Sequence, residues 1–543
     1  MPTKLRMRPK TKAALRPLLA SVSTVASALF VLGCEGEIAG NPPDTNSTQG
    51  GTTNNVGGSG TSVSGNGTVV PAAGELSSPF TRLTRAEYKA TLKAAFNIDA
   101  PVTGIPGDQR IGNFTSNVVD QDPAHEFLLA SEELAAKIVP SLLPVCSGAA
   151  AATCVTTSYQ APLERLYRRP LTPAELTKLA SLVTTIEAAG VSGEGATRGM
   201  LVSALMGSDF LFRANPLSGD AARGRRLAEH LAYALWDAPP DAALVTASQG
   251  DVATVGARLK EQALRLGADQ QAVPVLARFL AQWLFVDVDG KLEDASQTFS
   301  ASPLYAELLA FTKNALTSKV PVKSFVNGTQ GFVQKDNFKA YAMQAPAGAA
   351  DVVPVTWDTA TVRRGLISQE LFLDATRHPT PSRRPIFRGH LIRTSFLCEP
   401  IVLPPGNVVD LDAEVQDRTT DARCMGCHLK MDPIGRAFAT LDQDNEAGSP
   451  APEVTGDGEI HGTYADLPTM LNAIAESQIY ADCFSRNLLG FFLEQDPEHV
   501  DAASVADVAA IVKAGGSLSD ALAQVAVSLD MRSRSQTPWC TGE

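Results

Sequence analysis

"LTPAEL", residues 171–176, spells out a complete helix start in six letters. Thr172 is placed to cap the amide three residues on, and Glu175 to reach back to the amide of the cap. Pro173 takes the first helical position, where its missing N–H costs nothing, and Leu171 faces Leu176 as a hydrophobic staple. "LTRAEY", residues 83–88, repeats the device with Thr84 as cap, Glu87 closing the box, and Leu83 paired with Tyr88. Downstream, Leu227, Leu231 and Leu235 recur at helical spacing, as do Leu467, Leu471 and Ile474, and Gly515-Gly516 follows "ADVAAIVKA" as a stop signal. Alternating strand patterns are scarce. The pattern predicts a mainly α, multidomain protein with irregular Pro- and Gly-rich loops at 98–125, 345–356, 377–387 and 400–425.

The N-terminus reads as a targeting segment. Lys4, Arg6, Arg8, Lys10, Lys12 and Arg16 precede an apolar run from Leu18 to Leu32, with no acid among the first 33 residues. The run is shorter than the ~18 to 20 residues of a membrane-spanning helix. It ends in Val31-Leu32-Gly33-Cys34, similar to a bacterial lipobox, which makes Cys34 the expected lipidated N-terminus and residues 1–34 the signal. Ordinary secretory cleavage nearby is the alternative. Both place the mature chain outside the cytoplasm, in the periplasm or at the cell surface. Residues 35–77 are dominated by Gly, Ser, Thr, Asn and Pro and read as a disordered tether between a lipid anchor and the body. Cleavage before Cys34 moves the formal charge from −12 to −18, because six basic groups leave and no acid does. So acidic a chain argues against nucleic-acid binding, which is driven mainly by neutralisation of phosphates by Lys and Arg.

"CMGCHLKMDPIG", residues 424–435, carries the chemistry. With 8 cysteines and 7 histidines in 543 residues, chance would give C-x-x-C-H in roughly one chain in 700. Three chemistries begin this way. A structural zinc site needs four ligands, and its partners would have to be scattered residues such as Cys398, His461 or Cys483. A redox dithiol belongs after a strand at the start of a helix, a context this segment does not show. Covalent haem needs nothing more: on a helical turn Cys424 and Cys427 project to one side and can add to two vinyl groups, with His428 as the proximal ligand of the iron. The cofactor expected is therefore one covalently attached haem c. For the opposite face, Met431 lies too close to His428 in the chain, whereas His461 and Met470 are far enough along to swing round, and an open position is the third option. Pro433 and Gly435 are expected to end the helix, freeing a backbone carbonyl to accept the proton on the other ring nitrogen of His428. A simple turn is the alternative.

Residues 363–393 hold seven arginines (363, 364, 377, 383, 384, 388 and 393) against Glu370 and Asp374 alone. They suit haem propionates or an acidic partner, or else internal ion pairs. Of the remaining cysteines, Cys146 with Cys154 closes a short Ala-rich loop, and Cys398 with Cys483 would tie the haem module to the C-terminal segment, leaving Cys540 over.

A resemblance now becomes specific. "RRGLISQELFLDATRHPTPSRRPIFRGHLIRTSFLCEPIVLPP" followed by "CMGCHLKMDPIGRAFATLD" resembles the cytochrome c-like module of large exported multidomain proteins of planctomycetes and myxobacteria. "FTRLTRAEYKATLKAAF", "LYRRPLTPAELTKLASLV", "GRRLAEHLAYALWDAPPDAALVTASQGD" and "CFSRNLLGFFLEQDPE" resemble its accompanying domains in the same order. The resemblance runs from about residue 78 to 530 and implies helical domains at 78–145, 160–222 and 223–352, a haem module at 363–460 and a helical domain at 461–540. Most such domains have no known function, and only Cys424, Cys427 and His428 carry over as functional residues. The relatives' acidic L-E-x-F-D run after the M-D-P-x-G turn is altered here: Ala439 replaces the glutamate, while Asp442 is kept. Two functions stay open: electron transfer with an exported redox partner, and a haem-dependent oxidase or peroxidase acting on an extracellular substrate. A scaffold with structural haem or metal is a third. No spacing names a catalytic residue.

Overall fold

The computed structural model describes residues 81–100, 104–111, 114–115, 124–213, 220–250, 252–284, 303–357, 362–377, 383–399, 401, 424–441, 452–454 and 458–528. The expected signal segment 1–34 with Cys34, the expected tether at 35–77, Asp442 and Cys540 lie outside them. The protein is mainly helical, and its few strands are short antiparallel pairs.

Both capping boxes form as written. The first opens α1 (Arg85–Phe96): Glu87 N–H donates to Thr84 Oγ1 (3.2 Å), and Thr84 N–H donates to Glu87 Oε2 (2.8 Å). The other oxygen of Glu87 has a tertiary use. It faces the Arg213 guanidinium at 3.3 Å, and Arg213 also pairs with Glu494, so one buried arginine joins three distant parts of the chain. Burial pushes the Glu87 carboxyl up, against the pull of Arg213.

The chain forms two compact units, one containing residues 123–210 and the other residues 77–122 with 211–543. This grouping cuts across the expected segment 78–145. Helix α1 belongs with the second unit, where Thr91 Oγ1 and the Tyr233 hydroxyl are hydrogen-bonded at 2.8 Å. The first unit packs α2 (Ala124–Ile138) and α3 (Pro173–Ala188) against α4 (Gly193–Leu205). A disulfide joins Cys146 to Cys154 there, and the Thr197 hydroxyl accepts the Cys146 amide at 3.0 Å.

In the second unit, α5 (Asp220–Trp236), α6 (Val252–Gly267), α7 (Ala272–Trp283) and α8 (Pro303–Thr317) are followed by a hairpin of Gln330–Gln334 with Val352–Thr356. The chain continues through α9 (Arg384–Phe396), α10 (Met425–Arg436), α11 (Leu467–Glu476), α12 (Gln478–Leu493), α13 (Ala502–Lys513) and α14 (Leu518–Val525). Leu227, Leu231, Leu235, Leu467, Leu471 and Ile474, picked out by spacing, are all buried. One apolar core runs from Phe114 through Trp283, Phe325, Phe396 and Phe484 to Ala526. The stretches 223–352, 363–460 and 461–540, distinct in sequence, therefore share one interior.

Candidate functional site

The site is built outward from that core. Helix α9 is anchored first: the Trp283 indole N–H donates to Ser395 O at 2.7 Å, and its ring lies 4.7 Å from that of Phe396, which stacks on Tyr480 at 6.1 Å. The Cys398–Cys483 disulfide fastens the end of α9 to α12. Helix α10, which carries C-x-x-C-H, then lies against α9.

The two helices meet backbone to backbone. A Cβ on Gly389 would sit 1.9 Å from Met431 O, and one on Gly435 would sit 1.8 Å from Pro385 O. The contacts run in opposite order along the two chains, so the helices are antiparallel. Buried Arg393 donates from Nε to Lys430 O (2.9 Å), and Glu399 pairs with both Arg393 and Lys430. The segment after Cys427 is thereby fixed to α9 by glycine contact and by a charged staple.

This overturns one expectation. Pro433 and Gly435 do not end the helix, which continues to Arg436 with Pro433 inside it. Gly435 is there because a side chain would strike α9. A proline in a helix interior lacks the N–H that bonds back one turn and crowds the carbonyl there; burial of the surrounding turn against α9 holds the segment helical nonetheless.

Cys424 caps α10, and the amides of Cys427 and His428 both donate to its carbonyl, at 3.2 and 3.1 Å. The two thiols are free and half-buried. His428 is half-buried, and its Nδ1 lies 3.0 Å from Oδ1 of Asp432, a buried carboxylate one turn on. The partner of the imidazole is thus a side chain and not the freed carbonyl that the turn was expected to provide. Asp432 was not among the expected site residues, although its i,i+4 spacing from His428 on one helix face is the signal that marks it. Met425 and Leu429, also four apart, are 37% and 40% exposed on the same helix.

The two remote candidates have different settings. His461 is exposed and immediately precedes the strand Gly462–Thr463, which pairs with Glu453–Val454, and that strand packs on α10. Met470 is fully buried in the core on α11, a helix packed against α12 and the turn Ser324–Asn327. Met431 is buried at the α9 contact.

Four of the seven arginines serve the fold. Arg363 donates to Ser368 O (2.5 Å), pairs with Glu370 and lies 4.7 Å over the Tyr341 ring; Arg377 reaches Glu370 and Asp374. Arg388 bonds Thr376 Oγ1 and Phe438 O, and Arg393 holds Lys430 and Glu399. Burial pushes the Glu370 carboxyl up, opposed by Arg363 and Arg377.

Residues 363–447, which contain the whole motif, match the family PSCyt3, described as a protein of unknown function (DUF1588). Residues 223–343 match PSD4, a protein of unknown function (DUF1592). The pair supports a multidomain family of the kind the sequence resembles, named for planctomycete cytochrome-like domains. No curated protein and no solved structure matches the chain.

The donor set suits a covalent haem. Two free thiols and an imidazole stand on adjoining turns of one helix, and an aspartate that accepts from Nδ1 leaves Nε2 as the nitrogen available to iron. The scattered zinc set is weakened, because Cys398 and Cys483 are bonded to each other and a disulfide sulfur is not a thiolate ligand. Among the described residues no group of three or more His, Cys, Asp or Glu side chains is arranged to hold a metal ion.

Proposed function

We propose that this is an exported c-type haem protein that transfers electrons outside the cytoplasm, anchored by a lipid on Cys34 and exchanging electrons with another exported redox protein. The observation that carries the reading is the trio Cys424, Cys427 and His428 on one rigidly held helix, with the imidazole oriented by Asp432. Cys424 and Cys427 would form the two thioether links, and His428 Nε2 would hold the iron. A haem bound there would carry one electron between its ferric and ferrous states. The chain's part is to keep the ligand helix from moving as the charge changes: the Gly389 and Gly435 contacts and the Arg393–Glu399–Lys430 staple do this. The exposed apolar Met425 and Leu429 suit the hydrophobic body of a porphyrin.

The test is the visible spectrum of protein made with a c-type haem maturation system, oxidised and reduced, with and without carbon monoxide, beside Cys424→Ser/Cys427→Ser. Covalent haem in the wild type, absent from the double variant, with a low-spin spectrum indifferent to carbon monoxide, is the expected result. No covalent haem while a control cytochrome matures would overturn the reading, and ready carbon monoxide binding would replace electron transfer with an oxidase or peroxidase role. His461, on the hairpin packed against α10, is better placed than core-buried Met470 to serve as the second axial ligand.

A further inference from the structure

Asp432 is an expensive residue with a single visible use. It is buried, in a helix interior, followed by a proline; a carboxylate taken from water without compensation is strongly disfavoured. Among the described residues, the one hydrogen-bonding partner of its side chain is Nδ1 of His428, at 3.0 Å, and no Lys or Arg pairs with it. Ordinary fold stability does not call for such a group, since an apolar side chain would fill the place without the desolvation penalty.

We propose that Asp432 is a positioning residue for His428, whose carboxylate selects the tautomer with the proton on Nδ1, directs Nε2 to the iron and lowers the reduction potential of a haem bound there. The proposal rests on the haem reading above and deepens it. An ionised carboxylate can only accept, so the imidazole must donate from Nδ1 and present its Nε2 lone pair. A negatively charged acceptor draws that proton more strongly than a neutral carbonyl and makes the ring a richer electron donor, an outer partner's familiar effect on a ligating histidine. The added electron density favours ferric over ferrous iron. The site is thereby biased toward giving electrons away, and its partner would be an acceptor of higher potential.

The experiment is a redox titration of the full-length haem-loaded protein and of Asp432→Asn, Asp432→Ser and Asp432→Glu, each first checked for covalent haem. Loss of the charge in Asn and Ser should shift the ferric/ferrous balance at fixed ambient potential at least tenfold toward ferrous, which is ~59 mV upward for one electron. Glu, which keeps the carboxylate, should move back toward the wild type, as loosened packing alone would not. An unchanged midpoint in haem-bearing Asn or Ser variants overturns the proposal while leaving the haem reading intact. Absence of haem from the wild type overturns both. If neither neutral variant accumulates, the wild-type midpoint decides: it should lie at the low end of the range for c-type haem with the same axial ligands, and a midpoint at the high end would refute the role.

Discussion

Replacing Gly435 by Ala should damage the protein although alanine is the better helix former. The new Cβ would sit 1.8 Å from Pro385 O, whereas a methyl carbon and a carbonyl oxygen settle at ~3.3–3.5 Å, so α9 and α10 must part by roughly 1.5 Å. The obstacle is backbone, which cannot swing aside as a flexible side chain can. Overpacking of this kind costs ~1–3 kcal/mol. Parting the helices would also stretch the 2.9 Å bond from Arg393 Nε to Lys430 O beyond hydrogen-bonding range, a further ~1.5–3 kcal/mol for a charged donor. Against this stands the ~1 kcal/mol by which alanine exceeds glycine in a helix. The expected net loss is ~1.5–5 kcal/mol, read as a lower urea midpoint by far-ultraviolet circular dichroism. Gly426→Ala is the control. It lies between the two cysteines of the same helix, yet a Cβ there meets nothing within 4 Å, so it should be neutral or gain up to ~1 kcal/mol. A Gly435→Ala variant as stable as the wild type, or a Gly426→Ala variant that loses as much, would refute the reasoning.

Arg213→Met should cost ~3–5 kcal/mol in denaturant unfolding, since it removes the guanidinium that the buried carboxylates of Glu87 and Glu494 share. The deficit should shrink as the pH is lowered, because protonation removes the negative charge that Arg213 offsets; a deficit independent of pH would contradict this. In the first unit, burial works to raise the Glu175 carboxyl, but hydrogen bonds from Arg169 and from the Thr172 amide and hydroxyl hold it down at about 2. A carboxyl depressed in the folded state contributes stability above its unfolded value of ~4.3 and loses it as the pH falls toward 2. With the side chain 32% exposed, the contribution is discounted for solvent to ~1–2 kcal/mol. The gap in stability between wild type and Glu175→Gln should therefore narrow between pH 5 and 2, and a constant gap across that range would argue against the pairing.

Local rules made the helix starts legible. A capping box is satisfied within four residues, so Thr84 with Glu87 and Thr172 with Glu175 could be read without knowing what the helices pack on. The same holds for the buried leucine spacings and for C-x-x-C-H, whose two thiols and imidazole are gathered by a single helical turn. Where residues answer to distant partners, local reading failed or stopped short. Gly435 looked like a terminator and is a contact surface, because only the crossing of α9 gives its missing side chain a meaning. Pro433 looked like a break and lies within a helix held in shape by packing. The arginines of 363–393 could be counted but not assigned, since their partners Glu370, Glu399, Lys430 and Phe438 are brought to them by the fold. His461 and Met470 stood equal by chain distance until one proved exposed on a hairpin packed against α10 and the other sealed in the core. The sequence by itself determined where helices begin and that two thiols and an imidazole share one helical turn, because those are short-range matters of spacing and capping. Which groups surround that trio and hold its helix in place was decided by tertiary structure, because burial and backbone contact exist only after distant segments have met.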